Sequence, residues 1–81
     1  MKTAEWWINE CGGVLCSNCG FFFDDIYEPA PDQCKKCGAK MYPNGEVCVD
    51  RRGRLSYMIS CNYLDENECP EWALKLRNND K

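Results

Sequence analysis

The stretch that decides the fold is CSNCGFFFDDIYEPAPDQCKKCG, residues 16–38. It contains two Cys-x-x-Cys-Gly units with fourteen residues between Cys19 and Cys34. Two residues between paired cysteines let the backbone turn tightly enough for both sulfurs to face one point. A glycine after the second cysteine accepts the positive φ that such a turn requires, and both units have one, Gly20 and Gly38. Four thiolates at about 2.3 Å from a common centre make a tetrahedral metal site, and this spacing is close to that of paired Cys-x-x-Cys zinc sites. Cys16, Cys19, Cys34 and Cys37 are therefore the expected metal ligands.

The rest of the composition bears on the same question. A chain of 81 residues with eight cysteines is near the size at which a hydrophobic core alone stabilises a fold, so a staple is expected. Disulfides would serve in a secreted protein. However, MKTAEWWINECGG has no apolar run of signal-peptide length, and no later segment is long enough to span a membrane. The expectation is a cytoplasmic protein, in which thiols stay reduced and bind metal. The formal charge of −3 becomes roughly −5 with one four-thiolate zinc site and roughly −7 with two. No overall field draws such a chain to nucleic acid or anionic lipid, so any contact of that kind needs a local basic patch.

Working outward, TAEWWI reads as a short strand or turn ended by Gly12-Gly13, and FFFDDIY as the strand leaving the first unit. EPAPD is a loop. After the second unit come Met41-Tyr42 and a Pro43-Asn44-Gly45 turn. EVCVD and LSYMIS predict a β-hairpin with its tip near Arg52-Gly53. CPEWALKLRNN predicts a helix begun by Pro70, with Trp72, Ala73 and Leu76 on one face. The expected fold is small, metal-stabilised and mainly β, a single domain over 1–81 in which a hairpin and short C-terminal helix (43–81) elaborate the two-knuckle segment (14–42).

Residues 14–42, VLCSNCGFFFDDIYEPAPDQCKKCGAKMY, resemble a zinc ribbon of the rubredoxin-like type. They are similar to the cysteine-rich tail domain of rubrerythrin-type proteins and to small bacterial or phage zinc-ribbon proteins. The resemblance covers about a third of the chain. It implies that the four cysteines are ligands and says little about activity, since ribbons serve many functions. Its rubredoxin side implies an iron-binding electron carrier, and a four-sulfur site accepts either metal. CKKC in place of CPxC, and an insert shorter than that of rubredoxins, favour zinc. A closed four-sulfur zinc site has no open position for substrate and is structural.

Four cysteines remain. Cys11, Cys48, Cys61 and Cys69 would form a second zinc site tying N-terminus, hairpin and helix together, or would be buried as small apolar side chains. The chain has no histidine, which removes the commonest general base, and no phosphate-binding glycine loop. No enzyme is expected. Lys35, Lys36, Lys40, Arg51, Arg52 and Arg54 would form one cationic patch if the hairpin folds back beside the ribbon, and nucleic acid is then a candidate partner. Adjacent Trp6-Trp7 and Phe22-Phe23 would each leave one ring exposed on a strand, and exposed aromatics near arginines suit protein interfaces. The functional expectation is a non-catalytic zinc module recognising another protein, as adaptor or inhibitor; a homo-oligomer is compatible with it. The alternatives are the iron electron carrier and a nucleic-acid-binding ribbon.

Overall fold

The computed structural model describes residues 2–24, 29–58 and 62–79. Five strands form one sheet: β1 (Thr3–Asn9), β2 (Val14–Cys16), β3 (Phe22–Phe23), β4 (Lys40–Val49) and β5 (Leu55–Tyr57). A 3₁₀ turn (Glu66–Glu68) and one helix, α1 (Glu71–Asn79), follow. The strand order is β3-β2-β1-β4-β5, so the N-terminal TAEWWIN is the central strand. β1 pairs antiparallel with β2 and parallel with β4. A parallel pair needs a crossover, and here the segment carrying both cysteine units provides it.

Alternation along β1 divides the two tryptophans between the faces of the sheet. Ala4 and Trp6 pack with Cys16, Cys34, Ala39 and Met41 on one side. Trp7 packs on the other against the cluster of Leu15, Val47, Val49, Leu55 and Cys69. The expectation that one tryptophan would be left exposed is thereby corrected: Trp6 is buried and Trp7 half-buried. It holds for the phenylalanines, with Phe22 46% exposed.

Pro43-Asn44-Gly45 does not end a strand, as the sequence suggested, but lies within β4 as a bulge. Between the pairs Trp6↔Pro43 and Ile8↔Cys48, β1 advances two residues and β4 five. Gly45 takes a φ of 71°, and the Asn44 side-chain oxygen accepts the Glu46 N–H at 2.8 Å. An odd number of extra residues reverses which alternate side chains face which way. Met41 therefore faces the cysteine cluster, whereas Val47 and Val49 face the helix.

The predicted hairpin forms between β4 and β5, pairing Val47 with Tyr57 and Val49 with Leu55. Asp50 Oδ1 accepts the N–H groups of Arg52 and Arg54 at the tip, at 2.9 and 2.8 Å. Gly53 is buried there with φ 76°, and a Cβ would collide with the Ala73 carbonyl. The glycine thus lets α1 lie directly on the tip. The Pro70 carbonyl accepts from Ala73 and Leu74 at the start of α1. Ala73 is fully buried, but Leu76 is 43% exposed, and the half-buried partners are Trp72 and Leu74. The expected face is shifted because the helix rests on the hairpin tip through its small residue. Among the described residues of FFFDDIY, Phe22–Phe23 is strand; Asp25, Ile26 and Tyr27 lie outside the described residues, as do Ile59 and Ser60 of LSYMIS.

Candidate metal centre

The two cysteine units fold into nearly identical turns. In the first, the Cys16 carbonyl accepts the Gly20 N–H at 2.8 Å, and the Cys16 N–H donates to the Phe21 carbonyl at 3.0 Å. In the second, the Cys34 carbonyl accepts the Gly38 N–H at 3.0 Å, and the Cys34 N–H donates to Ala39 at 2.9 Å. Gly20 and Gly38 have φ of 79° and 77°, the left-handed region foreseen for them. The first turn joins β2 to β3, and the second leads into β4.

These turns bring the four Sγ atoms within 4.8 Å of one another. The Cys16–Cys37 and Cys19–Cys34 separations are 3.8 and 3.5 Å. A tetrahedron with metal–sulfur bonds of about 2.3 Å has edges of about 3.8 Å, and both of these separations are close to that. Cys16 and Cys34 are buried, while Cys19 and Cys37 are half-buried. The Lys36 N–H points at Cys34 Sγ, 3.4 Å away, a contact that stabilises a thiolate. Without a cation the cluster is electrostatically uneven. Burial pushes the Cys16 thiol up to about 12 and raises that of Cys19. A hydrogen bond from the Asn18 side chain holds Cys37 down near 6. Four thiolates so close together need a cation to coexist, and the donor set fits one of thiophilic character, zinc or iron.

Three supports of this centre carry no local sequence signal. The Trp72 indole N–H donates to the Ser17 carbonyl at 3.1 Å, and its ring lies where a Gly20 Cβ would be. A residue 55 positions away in sequence thus covers the first turn. The Trp6 indole N–H donates to the Pro31 carbonyl at 3.0 Å and ties down the proline loop. Ser17 Oγ accepts the Glu5 N–H at 2.9 Å, fastening the first turn to β1.

The other candidates are scattered. Among the described residues Cys11, Cys48 and Cys69 form no metal-holding group, and Cys61 lies outside those residues. Cys48 alternates with Val47 and Val49, so it faces away from the cluster that contains Cys69. Cys11 is exposed in the turn after β1, and Cys69 is buried beside Arg77, which donates to its sulfur at 3.4 Å. The six cations do not form one patch either. Lys40 opens β4, with Lys35 and Lys36 in the cysteine turn before it, and Arg51, Arg52 and Arg54 lie beyond its end. The seven-residue β1 alongside separates the two groups by roughly 20 Å. Arg51 pairs with Glu10 at 3.3 Å and Arg54 with Asp50 at 2.8 Å.

A comparison with protein-family models, curated proteins and solved structures finds no match to this chain. The four-cysteine cluster is compatible with a zinc-ribbon-like site on geometric grounds alone. No described helix is long and apolar enough to cross a membrane.

Proposed function

We propose that the protein is a non-catalytic zinc module whose metal is structural and whose task is recognition of another protein, as adaptor or inhibitor. The observation that carries the structural role is the closure of the site. Four sulfurs within 4.8 Å of one another supply every tetrahedral position and leave none for a substrate. Binding of such a metal contributes on the order of 10 kcal/mol, against roughly 3–5 kcal/mol from the core of a chain this small. The metal therefore governs whether the protein folds. Recognition is supported by the surface: Phe22, Tyr42, Tyr57, Met58 and Tyr63 are each 45–56% exposed, and tyrosine, methionine and phenylalanine are the side chains protein interfaces favour. A nucleic-acid role loses support from the separation of the two basic groups.

The iron electron carrier is the second reading. The half-buried Cys19 and Cys37 and the Lys36 N–H···S contact would suit electron exchange at an iron centre. Elemental analysis of protein purified without added metal decides between the two. One zinc per colourless chain is the expected result, and iron in a red sample would overturn the assignment. A tagged pull-down with and without nuclease tests recognition. A defined protein partner that survives nuclease is expected; recovery of nucleic acid alone would sink the adaptor reading.

A further inference from the structure

The β4 bulge produces more than a change of parity. Beside it lies a concavity of about 260 Å³ lined by Gly45, Glu46, Tyr57 and Met58. Tyr57 is 45% and Met58 54% exposed. The Met58 N–H donates to the Glu46 carbonyl at 2.9 Å, so the floor is hydrogen-bonded backbone. Gly45, at φ 71°, has no side chain to fill the space, and a Cβ there would meet only Ile8 Cδ1 at 3.9 Å.

The lining includes one acidic residue, Glu46. Next to the hollow, Asn44 donates through its side chain to the Glu5 carboxylate and accepts from the Glu46 backbone N–H. The Trp7 indole N–H also donates to Glu5, at 3.5 Å. An apolar hollow with the acidic Glu46 in its lining complements an apolar side chain adjacent to a basic one. It repels phosphate, and the net charge of −3 points the same way.

Accordingly, we propose that this concavity is the docking site for a protein segment that inserts an aliphatic or aromatic side chain into the hollow and sets a neighbouring Lys or Arg against Glu46. The assignment rests on the protein-recognition reading above and specifies its partner. Bulges commonly re-aim side chains at functional sites, and here the bulge opens the hollow at the edge of the sheet.

The test is a selection from a random phage-displayed peptide library on the zinc-loaded full chain, followed by anisotropy titration of an enriched peptide. Glu46→Lys and Met58→Asp change exposed side chains, and their metal content and melting curves are checked against the parent. Enriched peptides are expected to pair an apolar residue with Lys or Arg. Each substitution should then weaken binding by about tenfold or more, whereas Phe22→Ser, on β3 at the far edge of the sheet, leaves it unchanged. Enrichment of acidic peptides, or of none, overturns the proposal. Peptides that bind the parent and both variants equally overturn this site while leaving protein recognition intact, and the nuclease-treated pull-down judges that broader reading separately.

Discussion

The two cysteine turns share a backbone but not an environment. Each closes with the same pair of main-chain hydrogen bonds and the same left-handed glycine. Yet Gly20 lies under the Trp72 ring, with a Cβ position 2.7 Å from ring carbon Cδ2, whereas a Cβ on Gly38 would meet nothing nearer than Gln33 at 3.9 Å. The first turn is sealed by α1 and fastened to β1 through Ser17. The second carries the exposed Lys35 and Lys36 between its cysteines. Local sequence builds the cysteine turn, and the tertiary fold decides how much else depends on it.

The largest effect should treat the turns alike. Cys16→Ser and Cys34→Ser each remove one of four thiols, and on the proposed reading, in which a structural metal supplies most of the folding free energy, both should abolish the cooperative thermal transition and lower metal content. A melting curve unchanged by either substitution would refute a structural metal. Acid should act in the same direction, because protons compete for thiolates; metal release on lowering the pH can be followed with a colorimetric chelator.

Glycine substitutions should separate the turns. Gly38→Ala is expected to cost about 1–2 kcal/mol, the strain of a left-handed alanine. Gly20→Ala adds displacement of Trp72 and should cost about 3 kcal/mol or more. Denaturant titration of the zinc-loaded proteins measures the difference, and equal costs would mean that the Trp72 contact carries no weight.

Smaller still, Trp72→Phe keeps an aromatic ring over Gly20 but leaves the Ser17 carbonyl without its indole donor, a loss of about 1 kcal/mol. Faster metal extraction by chelator than from the parent would show that the seal on the first turn matters to the centre.

The smallest effect belongs to a site remote from both turns. Burial alone would raise the Asp50 carboxyl, but hydrogen bonds from Arg54 and Arg52 outweigh it and hold the group below its ordinary value. A depressed folded-state value means a stabilisation fully present above about pH 4 and lost as the pH falls through the lowered value. Asp50→Asn should therefore cost about 1 kcal/mol or less, equally at pH 5 and pH 7, with metal content unchanged. A cost that differs between those two pH values would contradict the lowered carboxyl.

How much was legible follows from the range of each interaction. The turns at Cys16–Gly20 and Cys34–Gly38 could be read because each closes its hydrogen bonds within five residues. The β4–β5 hairpin could be read because two β-rich runs flank a charged turn containing glycine. The bulge was missed: Pro43-Asn44-Gly45 has turn chemistry, and only pairing with β1 makes one strand of it. The joint cationic patch and the shared face of Trp72, Ala73 and Leu76 were mis-set because both depended on how the hairpin and α1 pack.

By itself the sequence determined the four clustered cysteines, the two left-handed glycines, the hairpin and the helix, all consequences of spacing and backbone preference over a few residues. Tertiary structure alone decided that TAEWWIN is the central strand, that Cys48 and Cys69 face opposite ways, that Trp72 seals one turn and leaves the other open, and that the β4 bulge opens a hollow. These depend on register and on packing between distant segments. A one-residue change in register exchanges the faces of a strand, and composition does not encode it.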